Sequence, residues 1–305
     1  MTWYTRKRRA PVGIRKVRAA EPDDRDWKAI HALADRLEAG LRSSFVQAAQ
    51  RLADSTGLAS LQAAISTGDV ERVIRVLDLA KYRREVAAAL EETLGKMATE
   101  TADVEAEAVS GKLGPIGFDK VNEDALAWAK DYSAKLVVDI TAETRDGIRT
   151  AVSKSIASGV PVDRLARNVR TIVGLTSRQA GAVSNYLDGL VDGGMAPGAA
   201  DLKAQAYAAR LRTQRARTIA RTELIKASGE GQATLWKRLK KDGIVDAKAR
   251  KRWRVTPDDR LDEDVCAPMD GQTVPLDELF TTGLGDKVSM QPAHPNCRCV
   301  VVLVP

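Results

Sequence analysis

The chain has 305 residues and a formal charge of +7, from 48 Lys and Arg against 41 Asp and Glu, with only 4% aromatic residues and three cysteines. The length allows two or three domains with a sizeable core. No apolar run approaches the roughly 20 residues that cross a bilayer, and three cysteines cannot all pair within one chain. The expectation is therefore a soluble protein made in a cytoplasm, without a membrane span, a secretory signal or a disulfide framework.

Residues 1–20 read as a flexible basic arm. Arg6, Lys7, Arg8, Arg9, Arg15, Lys16 and Arg18 stand there with no acid among the first eighteen residues, which suits an acidic partner such as DNA, or simply a solvated tail. A helical region follows over 21–117. Ile30, Leu33, Leu37, Leu41, Phe45 and Leu52 recur at three- and four-residue steps after Trp27, the pattern returns in GDVERVIRVLDLA, and an Ala-rich stretch runs to the break Gly111 to Gly117. A middle helical region spans 118–199. It is interrupted at Ser158 to Asp163 and before Thr176, which forms with Gln179 an S/T-x-x-Q capping box, and it closes on a loop, DGGMAPGAAD.

Residues 200–305 form the third segment. A helix is expected from Asp201 to about Lys241, and after Gly243 the strand-sized runs RWRVT, GQTVP and VVVLV are separated by Pro, Gly and Asp. The fold class that results is mainly α: a long-helix N-terminal region followed by a small α+β module with short antiparallel strands. VVVLV lacks polar alternation and is expected to be a buried strand paired with RWRVT.

Chemistry-bearing residues gather near the end of the chain. In HPNCRC, Cys297 and Cys299 stand at i and i+2, so an extended backbone points both thiols one way and Arg298 the other. The Pro295–Asn296 turn can fold His294 over the same face, and Cys266 can come in from the preceding loop. Such a Cys3His set is a closed tetrahedral zinc site, structural because no position is left for water. The same residues also read as three small buried hydrophobes beside a capping histidine. An extended backbone disfavours a Cys297–Cys299 disulfide.

The acids Asp258, Asp259, Asp262, Glu263 and Asp264 suggest Mg²⁺ chemistry only weakly, because a surface run of acids beside KARKRWR is usually solvated or ion-paired. Five arginines lie between Arg210 and Arg221. Arg210, Arg217 and Arg221 share one helical face, with Arg212 and Arg215 opposite, and they call for Glu223, the acidic loop, or a phosphate or protein partner. From Lys237 to Arg254 there are nine basic residues, Lys237, Arg238, Lys240 and Lys241 first among them, flanked by Trp236 and Trp253. The pattern suits nucleic acid, or a core anchored by two tryptophans.

Taken in order, GLTSRQAGAVSNYLDGL, RARTIARTELIKASGEGQATLWKRLKKDG, RWRVTPDDRLDEDVCAPMDGQTVPLDELF and PAHPNCRC resemble the phage Mu F-like minor head proteins, the phage head morphogenesis family, over about 150–302. The motif residues are Arg221, Glu223, Trp253, Asp259, Arg260, Cys266, Asp270, Gly271, His294, Cys297, Arg298 and Cys299. Where many members read C-x-x-C, this chain has Met269 after Cys266. The resemblance implies a minor, non-enzymatic component of a tailed-phage capsid near the portal, aiding head assembly, DNA packaging or ejection. Its implied partners are the portal protein, the major capsid or scaffolding protein and packaged double-stranded DNA, with no membrane. Two other readings are a DNA-binding internal virion protein and, last, a metal-dependent hydrolase or transferase using Asp259 and His294.

Overall fold

A computed structural model describes the backbone of residues 25–113, 119–256, 258 and 261–304, and the side chains of these except 25–27, 108–113 and 119–122. The basic arm lies outside the described residues, as do Asp259 and Arg260. Among the described residues eight helices precede a small strand region: α1 Arg25–Ser55, α2 Leu58–Ile65, α3 Val70–Val76, α4 Leu79–Leu113, α5 Asp119–Ala157, α6 Val162–Ile172, α7 Ser177–Asp192 and α8 Pro197–Lys241. The chain is mainly α, with short antiparallel strands at its C-terminal end, as expected.

The periodic positions behave as a helix predicts: Ile30, Leu33, Leu41, Phe45 and Leu52 of α1 are all buried. Local chemistry sets several ends. Asp69 accepts from the amides of Glu71 and Arg72 to start α3, and Asp78 accepts from the amide of Lys81 to start α4. The stretch read as one helix in GDVERVIRVLDLA is thus divided at Leu77–Asp78. The loop expected over DGGMAPGAAD shrinks to Gly193–Ala196, because Pro197, which lacks the amide a first-turn residue does not need, opens α8. Helix α4 runs through Gly111, and 114–118 lie outside the described residues.

The Thr176–Gln179 capping box is present. The Thr176 hydroxyl accepts the Gln179 amide at 3.4 Å and the Gln179 carboxamide oxygen accepts the Thr176 amide at 3.2 Å. Thr176→Ala is expected to cost about 1 kcal/mol in urea unfolding, and Thr176→Ser to restore most of it.

Two compact units emerge, one from Met1–Gly40, Glu91–Asp131 and Thr218–Pro305, the other from Leu41–Leu90 and Tyr132–Arg217. Each draws on part of α1, α4, α5 and α8. In the second unit, α6 ends against two arginines of α8. Arg212 donates to the carbonyls of Val173 and Thr171 at 2.9 and 2.8 Å, and Arg215 to the Gly174 carbonyl at 2.8 Å, so two cations meet the negative end of the α6 dipole.

The first unit packs α4 against α8 through small side chains. Ala98, Ala102 and Ala106 are buried at four-residue steps, and a Cβ at Gly231 would meet the Ala98 carbonyl oxygen at 2.2 Å, so only glycine permits this approach. Beyond α8 lie β1 Arg250–Arg254, β2 Thr273–Pro275, β3 Phe280–Thr281, β4 Lys287–Val288 and β5 Val300–Val304. One sheet has the order β2-β1-β5, all antiparallel, and β3 pairs with β4. The expected pairing of RWRVT with VVVLV is present, with Trp253 opposite Val301.

Strand β5 is an edge, which is why only Val300 and Val301 are buried while 302–304 remain partly exposed. On β1 the alternation turns Lys251 and Trp253 inward. Trp253 stacks edge-on against Phe280 at 5.3 Å, and the Lys251 ammonium donates to the Ser289 carbonyl at 2.9 Å. Trp236 and Trp253 both sit in the apolar cluster with Leu235, Leu239, Met269 and Phe280. The two tryptophans therefore anchor a core and do not present stacking faces to a nucleic acid.

Candidate functional site

Next to the start of β5, within the first unit, the thiols of Cys266 and Cys297 and the imidazole of His294 converge, with Cys299 buried beside them. Cys266 opens the 3-10 turn Ala267–Met269. The preceding loop is held by Asp262, whose carboxylate accepts the amides of Asp264 and Val265 and whose carbonyl accepts those of Cys266 and Ala267. The loop is also clamped from outside, where the Gly283 amide donates to the Val265 carbonyl at 2.9 Å; a Cβ at Gly283 would lie 2.1 Å from the Asp264 carbonyl oxygen.

The remaining donors come from HPNCRC. Asn296 adopts φ 60°, and the Cys297 amide donates to the His294 carbonyl at 3.2 Å, closing a β-turn with Pro295 at its first corner and a left-handed Asn at its second. The turn is pinned to α8 by the Asn296 amide, which donates to the Thr222 hydroxyl at 3.0 Å. Regular pairing begins only at Val300, because β1 ends at Arg254, yet the alternation expected for a strand holds. Cys297 and Cys299 are buried and Arg298 turns the other way.

Nε2 of His294 lies 3.2 Å from Sγ of Cys266. The donor atoms of Cys266, His294 and Cys297 all fall within 4.8 Å of one another, the one such group among the described residues. Cys299 is buried beside them, but its sulfur is not one of this 4.8 Å group. Nδ1 of His294 donates to the Pro295 carbonyl at 2.9 Å, which turns Nε2 toward the sulfurs. Hydrogen bonds from Cys266 and Cys299 outweigh burial and bring the Cys297 thiol well below its ordinary value, while those to Cys266 and Cys297 drive Cys299 far up. Burial opposes a charged ring on His294, but bonding to Cys266 and Cys297 outweighs it and pushes the pKa up to about 11. The sulfurs and the imidazole nitrogen are the donor types that bind a soft metal ion.

The acids of the loop do not join them. Asp262 caps its own loop and Asp258 faces the Arg298 guanidinium at 3.5 Å, so among the described residues no magnesium site forms there. Of the pair Asp259 and His294, Asp259 lies outside the described residues, and His294 faces the Cys266 sulfur.

Beyond the cluster, Arg298 binds a residue that sequence patterns did not single out. Its Nη2 donates to Nδ1 of His31 at 3.0 Å, with Asp35 at 3.9 Å. Burial first, then the Arg298 charge, lower the His31 pKa to about 4, against the opposing pull of Asp35 and Asp258. The neutral ring is thus the one the fold prefers. Its contribution is complete above the unfolded value near 6.5 and is lost as pH falls from there through 4. The expected result is a stability that declines over this window, by up to about 3 kcal/mol, with His31→Gln flattening the profile in urea unfolding at stepped pH.

A second arrangement missed in the sequence is a buried polar network behind β5. Gln291 accepts the Val301 amide and donates to Gln232, Gln232 donates to Glu105 and to the Val301 carbonyl, and Trp236 Nε1 donates to Glu105 at 3.1 Å. No local signal marks it, since Glu105 and Gln232 are 127 residues apart.

Among protein families, the description Phage Mu protein F like protein matches over residues 146–302, just over half of the chain. The chain belongs to this Mu F-like family. No significant match was found among curated proteins or among solved structures. The Mu F-like segment contains the whole cysteine and histidine cluster, and its described motif residues serve the fold. Arg221 pairs with Glu38 at 2.6 Å, Glu223 and Trp253 are buried, and the Asp270 carboxylate accepts the Val255 amide. Gly271, at φ 75°, donates to the Trp253 carbonyl.

The basic residues after α8 separate. Arg238 pairs with Asp242 and Lys240 with Asp277, both at 2.6 Å, while Lys237 and Lys241 are exposed. The contacts of Arg212, Arg215 and Arg221 lie elsewhere than the acidic loop. Arg212 and Arg215 are buried on backbone carbonyls, Thr144 and Glu143, and Arg221 on Glu38.

Proposed function

We propose that this chain is a minor structural component of a tailed-phage head, seated at the portal and acting in head assembly, DNA packaging or ejection. The observation that carries the reading is the family match over 146–302. Compatible with it, the described motif residues serve the fold, Arg221 pairing with Glu38 of α1 and Asp270 and Gly271 bonding the backbone at and after β1. The one donor cluster among the described residues has the ligand types of a structural metal site. No helix among the described residues is long and apolar enough to cross a membrane.

The test is co-expression with the portal protein encoded alongside it, followed by size-exclusion chromatography and cross-linking, and a mass-spectrometric census of purified virions. The expected result is a stable complex with the portal and a few copies per particle. A chain missing from virions and eluting alone beside a folded portal overturns the reading.

A further inference from the structure

We propose that Cys266, His294, Cys297 and Cys299 hold one structural zinc ion that ties the loop after β1 to the terminal strand. Four features support the assignment. First, the donor types are those of a closed Cys3His site, three sulfurs and one imidazole, with no carboxylate among them. Second, the spacing fits. Ligands about 2.0–2.3 Å from a tetrahedral ion lie roughly 3.3–3.8 Å apart. The Cys266 Sγ to His294 Nε2 distance is 3.2 Å, and the Cys266, His294 and Cys297 donors are all within 4.8 Å of one another.

Third, the imidazole is oriented as a ligand. Its Nδ1 bonds the Pro295 carbonyl, the outer-shell contact that fixes a metal-binding histidine, and leaves Nε2 toward the thiols. Fourth, Cys266, Cys297 and Cys299 are 0–2% exposed in an apolar cluster, and the sulfurs of Cys266 and Cys297 gather with Nε2 of His294. A cysteine that only fills space turns its sulfur toward hydrocarbon; here two sulfurs and an imidazole share one spot, with the third thiol buried beside them.

The ion would act as a staple. Its ligands come from two irregular segments, one held by Asp262 and Gly283 and the other by an Asn296 turn, with few ladder bonds of their own. Met269 sits buried in the adjoining core, and the fourth ligand would be Cys299, buried beside the three grouped donors and closing on the ion when it binds. Arg298, between two ligands, carries the restraint to His31 and Asp35 of α1. With four protein ligands no coordination position remains for water or substrate.

The full-length protein, purified without chelator or metal-affinity resin, is expected to contain one zinc per chain by elemental mass spectrometry. A mercurial thiol reagent should release it, read with a zinc-sensitive dye. X-ray absorption should give about three sulfurs near 2.3 Å and one nitrogen near 2.0 Å. Stripping the metal should lower the melting temperature by on the order of 10 °C, with zinc restoring it. Cys297→Ser should lower zinc content; if that variant does not fold, cobalt exchange into the wild-type chain should give thiolate charge-transfer bands. A folded wild-type protein with no zinc and a melting temperature indifferent to chelator overturns the proposal, as does iron in place of zinc. Metal content is read on the isolated chain, so its outcome is independent of whether the chain binds a portal.

Discussion

Arg215→Ala is expected to destabilise the protein by about 3 kcal/mol or more, measured as the fall in urea midpoint at constant slope. The side chain is 6% exposed and donates to four acceptors: Thr144 Oγ1 at 3.1 Å, Gly174 O at 2.8 Å, Ile140 O at 3.3 Å and Glu143 Oε2 at 2.8 Å. Truncation takes the guanidinium donor from the Gly174 carbonyl just beyond α6 and from the Thr144 hydroxyl of α5, and each buried group left unsatisfied costs roughly 1–3 kcal/mol. Glu143 adds less, because it is 29% exposed and water can replace its partner. Arg215→Lys should recover under half the loss, since an ammonium cannot span acceptors placed around a planar fork. A loss below 1 kcal/mol for the alanine variant would mean the guanidinium is not holding α6.

Trp253→Ala is expected to cost about 3–5 kcal/mol, the range for deleting a fully buried large aromatic. Trp253 is 0% exposed on the central strand β1, opposite Val301 and edge-on to Phe280. Trp253→Phe should be far milder, since Nε1 of Trp253 has no hydrogen-bond partner among the described residues. At Trp236 the same change should be worse, because its Nε1 donates to Glu105 and phenylalanine would leave a buried carboxylate one donor short. The contrast between the two phenylalanine variants, read by unfolding, separates packing from hydrogen bonding. Equal losses would contradict the geometry.

Much of this was legible along the chain where neighbours in sequence decide the outcome. The Thr176–Gln179 box, the Pro295–Asn296 turn and the i, i+2 facing of Cys297 and Cys299 each depend on a few consecutive dihedral angles. So does the apolar face of α1. The pairing of RWRVT with VVVLV was readable for a different reason, since an unbroken apolar run beside an alternating one leaves few other partners. The cluster of Cys266 with His294 was readable from donor chemistry alone, because few residue types bind a soft cation.

Charge was the least legible quantity. Arg212, Arg215 and Arg221, on two sides of the helix, looked like cations in need of Glu223, the acidic loop or a phosphate or protein partner, and each instead closes on other internal acceptors. Arg221 meets Glu38 across 183 residues, and Arg298 meets His31 across 267. The Glu105, Gln232 and Gln291 network was invisible for the same reason.

By itself, then, the sequence determined the helical regions, the Thr176–Gln179 cap, the terminal strand pair and the donor types of the cluster, because these follow from local dihedral preference, periodicity and side-chain chemistry. Only the tertiary structure decided which polar groups are satisfied inside the fold and by whom. A buried charge finds its partner through three-dimensional proximity, and nothing in the spacing along the chain encodes a contact made across more than a hundred residues.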